Sequence, residues 1–145
     1  MGRRGPVPTP TAVLEKRGST LVTKRRKARE PKGPPGMPKC PDWLDKRAKA
    51  MWRKVAPMLF RMGVLSKADA NALERYCRTY SLWRQADEFI EKNGLAYPTK
   101  DASGRVTSLQ QFPHVGIANK LSLALTRLEQ EFGLTPSAGR GCTWM

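Results

Sequence analysis

From Asp42 onward, apolar residues recur at three- and four-residue intervals. Ala48, Met51, Trp52, Val55, Met58, Leu59 and Met62 keep the i, i+3, i+4, i+7 spacing of one buried helix face. Asp42 or Asp45 supplies an N-cap, and Gly63 supplies the stop. Pro57 removes a backbone donor and is expected to kink this helix or begin a new turn. "SKAD", Ser66 to Asp69, is a capping-box type of start for a second helix, which can run to Asn93 with Gly94 as its terminator. Its stripe is Leu73, Tyr76, Tyr80, Trp83 and Ile90; Asp87 interrupts it, and Ala86 can take that place. At about 27 residues this helix exceeds the usual length in a small domain. One end is therefore expected to project towards another subunit. Leu95 and Tyr97, then Val106 and Leu109, flank a polar turn containing Gly104 and predict a short β-hairpin, with Pro98 confining its strand to an edge. A last helix is expected from about Pro113 to Phe132, with Ile117, Leu121, Leu125, Leu128 and Phe132 on one face and Gly133 closing it. The expected fold is mainly α: a three-helix core over residues 42–134 with a hairpin before the last helix, then a loose tail over 135–145.

Composition changes the picture at the N-terminus. Residues 1–41 hold 8 of the 12 prolines and 5 of the 12 glycines, with few large apolar side chains. Such a segment cannot bury enough surface to offset its ordering entropy. It is expected to be a disordered basic arm, with a short helix around Thr11–Lys16. The net charge of +15 is concentrated early, with 11 Lys and Arg against 2 acids in residues 1–41 and 6 against 2 in residues 42–65. Residues 66–93 balance at 5 against 5. A charge so placed implies a polyanionic partner, nucleic acid before an anionic membrane. No apolar run is long enough to span a bilayer. The basic N-terminus lacks the apolar segment of a secretory signal. The candidate phosphate-contacting cations are Arg3, Arg4, Lys16, Arg17, Lys24, Arg25, Arg26, Lys27, Arg29 and Lys32 on the arm. On the first core helix they are Lys46, Arg47, Lys49, Arg53 and Lys54.

Candidate chemistry is sparse. Cys40, Cys77 and Cys142 fit neither a disulfide framework nor a zinc pattern, and Cys77 falls on an apolar stripe as a core residue would. Free thiols fit a reducing cytoplasm. His114 is the single histidine, and its place at the start of the last helix suits a surface or capping role. No G-x-x-x-x-G-K-[ST] phosphate loop is present, and the prolines of "GPPGMPK" remove donors that a phosphate cradle needs. The acids, in "DEFIEK" and "LEQE", spread over helix faces. Trp43, Trp52 and Trp83 are expected in the core, whereas Trp144 lies in the loose tail. These features predict a binding protein and not an enzyme, with no cofactor and no metal.

The segment "CPDWLDKRAKAMWRKVAPMLFRMGVLSKADANALERYCRTYSLWRQA" resembles the small terminase subunits of tailed double-stranded-DNA bacteriophages. The likeness lies in the order of parts. A Pro-x-Trp-Leu opening leads to a helix with Trp-x-x-Val-Ala-Pro, then Gly-x-Leu-Ser-x-x-Asp, then a helix with an aromatic-rich Tyr-Cys and Trp section. "GRRGPVPT" looks like the family's Gly-Arg-Pro start, and "EFGLTPSAGRG" resembles its Glu-Phe-Gly-Leu-Thr-Pro-Ser close. The hairpin departs from the pattern, and so does "FPHVGIA", where Asn-Pro is common. The resemblance implies a helical core assembled into a homo-oligomeric ring. It implies binding to the packaging site of the viral genome, and delivery of that DNA to the large terminase subunit, which holds the ATPase and nuclease. The setting would be the host cytoplasm. Trp52, Leu73, Tyr76, Tyr80, Trp83, Ile90, Leu121, Leu125 and Leu128 are then the core or oligomer residues. Two rival readings are a basic assembly protein that binds RNA, and a regulator with a helix-turn-helix made by the first two core helices around "MGVLSKAD".

Overall fold

The computed structural model describes residues 11–16, 18–20 and 34–135. In chain order the elements are α1 (Thr11–Lys16), α2 (Lys46–Arg61), a 3-10 turn (Lys67–Asp69), α3 (Ala70–Asn93), β1 (Ala96–Lys100), β2 (Val106–Gln111) and α4 (Pro113–Glu131). The fold among these residues is mainly helical, with one two-stranded antiparallel sheet before the last helix.

Local chemistry sets the helix ends. Of the two aspartates expected to cap α2, Asp45 does so: its carboxylate accepts from the backbone N–H of Arg47 at 3.1 Å and of Ala48 at 3.5 Å. Two of the orphan donors at the helix start are thereby satisfied. The same carboxylate accepts from the Ser81 hydroxyl at 2.6 Å, which ties the cap of α2 to the middle of α3. At the other junction the capping box forms, with Ser66 N–H donating to Asp69 at 2.8 Å and Ala68 N–H donating to Ser66 Oγ at 3.3 Å. Pro57 sits inside α2, which continues past it to Arg61. The proline lies on the side away from the buried residues, where water can satisfy the carbonyl it leaves unpaired.

Helix α3 is the spine. Its 24 residues rise about 36 Å at about 1.5 Å each. It packs against both α2 and α4. Arg47 to Glu88 and Asp45 to Ser81 hold the start of α2 against the middle and later part of α3, and the short connection from Arg61 to Ala70 returns the chain so that the two run antiparallel. Tyr76 with Phe132, ring centroids 6.2 Å apart, and Phe89 stacked on His114 at 3.6 Å set α4 antiparallel along another. Between them lies one cluster: Leu44, Ala48, Trp52, Val55, Ala56, Leu59, Leu65, Leu73, Tyr76, Cys77, Leu125 and Phe132. Ala86 is buried as expected, while the neighbouring Asp87 turns to Arg84 at 2.8 Å. Tyr80, Trp83 and Leu128 are half-buried against the cluster, and Ile90 and Leu121 are also half-buried. The core assignment fails at Trp43, which is 57% exposed. It precedes the Asp45 cap and so lies outside the helical register that buries Trp52.

Helix α1 belongs to this packing. Its Val13 and Leu14 are buried, and a β-carbon on Gly133 would stand 3.4 Å from Val13 Cγ1. That distance is ordinary contact; Gly133 holds a φ of 73°, and it is this backbone turn that favours glycine there.

Two predictions follow from the spine. Trp52 is 3% exposed and central to the cluster. Trp52→Ala should cost about 3–5 kcal/mol, read by chemical denaturation; a loss under about 1 kcal/mol would contradict the packing described. The hydrogen bond from Ser81, and then those from Ala48 and Arg47, hold the Asp45 carboxyl below its usual value against the opposing effect of burial. A depressed folded value means that stability is present above the unfolded value and is lost as pH falls through the folded one. Stability should therefore fall on acidification through and below the ordinary aspartate range. Asp45→Asn should flatten that part of the profile while keeping a cap, and Asp45→Ala should also cost about 1 kcal/mol at neutral pH as a lost cap.

Candidate nucleic-acid interface

Helix α2 carries six cations, Lys46, Arg47, Lys49, Arg53, Lys54 and Arg61, and no acid. Helical spacing sorts them. Ala48, Trp52, Val55, Ala56 and Leu59 claim the buried side. Lys46, Arg53, Lys54 and Arg61 fall on the opposite side and are exposed. Among the described residues none of these four has an ion-pair partner, so their charge faces solvent as one ridge. Arg61 holds its orientation by donating from Nε to the Pro57 carbonyl at 3.3 Å.

The other two expected helix cations are occupied. Arg47 Nη2 lies 2.7 Å from Glu88 Oε2 on α3, and this guanidinium holds the Glu88 carboxyl below its usual range. The same Arg47 leaves Nη1 buried without a partner. Lys49 Nζ donates to the Asp42 carbonyl at 2.7 Å, fastening the chain that leads into α2. Both act first as struts between segments. Of the candidate cations on the arm, Arg3, Arg4, Arg17, Lys24, Arg25, Arg26, Lys27, Arg29 and Lys32 lie outside the described residues, as does the side chain of Lys16.

Two further groups were not anticipated. The Arg78 guanidinium stands 5.5 Å from the centre of the exposed Trp43 ring, a cation–π distance. Arg61 extends the ridge by two helical turns beyond Arg53. The helical register of α2 could have found Arg61, because 46, 50, 53, 57 and 61 share one side. Nothing local could have found the Trp43–Arg78 pair, whose members lie on different elements.

The groups that could do chemistry are committed to packing. Burial, with Cys40 nearby, pushes the Cys77 thiol up to about 12, and the residue is in the core as expected. Burial and then the Glu129 carboxylate push the Tyr76 hydroxyl well above its usual value; the two are 3.5 Å apart. His114 is neither a lone surface group nor a cap. It stacks on Phe89 at 3.6 Å, and its Nδ1 is buried without a partner. Phe89 also meets Phe112 edge-on at 5.3 Å, and Phe112 meets Tyr97 at 4.9 Å, so this aromatic chain roots the hairpin on α3 and α4. Among the described residues no group of three His, Cys, Asp or Glu side chains could hold a metal ion. No described helix is long and apolar enough to cross a membrane.

Residues 48–142 match the family described as phage terminase, small subunit. The match covers well over half of the chain, and the protein belongs to the phage terminase small subunit family. This membership supports a role in phage DNA packaging, and the family is in general the non-catalytic, DNA-binding and regulatory partner of the terminase. No curated protein and no solved structure matches the chain at comparable stringency.

The thiols provide a check on the packing. At neutral pH a thiol reagent should modify the half-buried Cys40 and spare Cys77 until the chain unfolds. Peptide mapping after brief labelling reads this directly. Early modification of Cys77 would mean that α2 and α3 separate far more easily than the packing implies.

Proposed function

We propose that the protein binds the packaging-initiation site of the viral genome and delivers it to the large terminase subunit. It does so as a homo-oligomeric ring in the host cytoplasm, and it has no catalytic activity of its own. The observation that carries the reading is the α2 ridge: a helix with six cations and no acid, four of them unpaired and on one side, in a chain of this family. Fixed cations meet phosphates spaced along a duplex, and the Pro- and Gly-rich basic arm adds charge that needs no fixed geometry. The arm supplies affinity for any duplex, and the positioned helix supplies what selectivity there is. A free helix-turn-helix is a poorer account, because α3, its would-be recognition helix, is flanked by both α2 and α4 and its charges balance.

The experiment is a salt titration of binding to packaging-site and scrambled duplexes. Each phosphate neutralised adds about 0.9 to the slope of log affinity against log salt. Replacing Lys24, Arg25, Arg26, Lys27 and Arg29 with Ala should flatten the slope by several units and weaken both duplexes alike. Replacing Lys46, Arg53, Lys54 and Arg61 with Ala should weaken the packaging-site duplex more than the scrambled one. An arm variant that kept its affinity, or a ridge variant that bound like the parent, would refute this division.

A second arm of the same titration uses Glu88→Gln, which releases Arg47 from its ion pair. The slope should rise by up to about one unit, the value for one added phosphate contact. Arg47→Ala alone should change DNA binding less than Lys54→Ala and should lower the melting temperature more. The reverse order would place Arg47 on the DNA and not between helices.

A further inference from the structure

The hairpin is the most exposed part of the described chain. Every residue of β2 is exposed, and so is every residue of β1 except Thr99. A two-stranded sheet alone is marginal in water. This one is fixed only at its root, through Tyr97, Phe112, Phe89 and His114. Its two edges differ. Phe112 N–H donates to the Leu95 carbonyl at 3.0 Å, so those two residues are a hydrogen-bonded pair. Antiparallel alternation then makes Ala96 with Gln111 and Pro98 with Leu109 the unbonded pairs, whose backbone groups point outward. On β1 the outward position at Pro98 has no N–H, so that edge is blunted. On β2 the N–H and C=O groups of Leu109 and Gln111 point outward, and no backbone bond beyond the hairpin takes them.

The side chains divide in the same way. Tyr97, Gln110 and Phe112 share the face turned to the helices, where Tyr97 donates to Gln110 Oε1 at 2.9 Å. Ala96, Pro98, Leu109 and Gln111 share the opposite face. The irregularity between Thr99 and Lys100 pairs Val106 with Lys100, and so brings Val106 to that outer face as well. Leu109, at 73% exposed, is the barest large apolar residue described, and Val106 is 60% exposed. An open strand edge beside an apolar strip is a template for another strand.

Charge decides the occupant. β2 reads VTSLQQ and carries no charged side chain, so it offers nothing to a polyanion. The net charge of +15 is concentrated in residues 1–65, outside the hairpin, so a second copy can approach here without bringing those segments together. Strand β2 laid on strand β2 creates no like-charge pair. We propose that the free edge of β2 pairs antiparallel with β2 of a second copy about a two-fold axis at Leu109, making a four-stranded sheet. Leu109 then faces the second copy's Leu109, Gln111 faces Thr107, and Ser108 faces Gln110. The outer face carries one apolar strip from Pro98 through both Leu109 side chains to the second Pro98. The blunted β1 edge ends the sheet at four strands, so this contact is isologous and closed. A two-fold contact does not close a ring, so this is a second contact beside the cyclic one of the proposed ring, joining copies from two rings; it does not involve DNA, and its failure leaves the packaging reading standing.

The test uses the full-length chain without DNA. Leu109→Cys should form a disulfide between the two substituted positions under mild oxidation, seen as a dimer on a non-reducing gel and located by peptide mass. Ala96→Cys is the control, because the strand order places the two β1 strands about 14 Å apart, beyond disulfide reach. The wild-type chain reports the background of its native cysteines. Leu109→Pro removes an outward N–H that the hairpin does not use, together with the apolar side chain. It should weaken self-association measured by sedimentation about tenfold or more, with helical circular dichroism and melting temperature unchanged. Cross-linking of Leu109→Cys no stronger than that of Ala96→Cys would overturn the proposal. So would cross-linking only after a different protein is added, or an unaltered association constant in Leu109→Pro.

Discussion

The burial of α3 between α2 and α4 is the constraint on which the rest depends. A helix of this length gains little alone, and most helical stability in proteins comes from packing an apolar face. Here one helix carries faces for two neighbours. Leu73, Cys77 and Ser81 are almost completely buried on α3, and Tyr76 reaches Phe132 and Glu129 of α4. Because α3 is held from two directions, α2 is fixed with its basic side outward. The same restraint roots the hairpin at the far end of α3, through Phe89.

The electrostatic arrangement follows from that packing. The polar links of α2 to α3 are Asp45 with Ser81 and Arg47 with Glu88. The first is part of a cap and reaches a side chain that is 1% exposed, so its partner cannot be replaced by water without cost. The second is half-exposed and screened, so it aligns the helices more than it stabilises them. With Glu88 paired to Arg47, Asp87 paired to Arg84, and no acid on α2 itself, the outer side of α2 is left uniformly positive. The α2 side of the molecule therefore presents fixed charge along its length, and the hairpin presents an uncharged strand edge.

Much of this was legible beforehand. The three core helices, the hairpin, the capping box at Ser66 and the core position of Cys77 all came from spacing and end signals, because those are local consequences of helical and strand periodicity. The exposure of Trp43 was not legible. Aromatic identity suggests burial, but Trp43 stands before the helix cap, where no register fixes its direction. Arg47 and Lys49 read as free cations for a similar reason: a charge on a helix looks the same in sequence whether it faces solvent or a neighbouring helix. Their partners lie elsewhere in the chain, at Glu88 for Arg47 and at the Asp42 carbonyl for Lys49.

What the sequence determined by itself was the inventory: which segments are helical, where they stop, where positive charge concentrates, and which family the order of motifs resembles. These depend on near neighbours along the chain, within a helical turn or a hairpin. Tertiary structure decided which cations remain free, which tryptophan is bare, and which strand edge is open. It also placed His114, whose ring stacks on Phe89 from a different helix. Apart from Lys49 and Asp42, seven residues apart, the pairs involved are far apart in sequence. Only the packing of α2 and α4 on α3, and the rooting of the hairpin beside them, brings the members of each distant pair together.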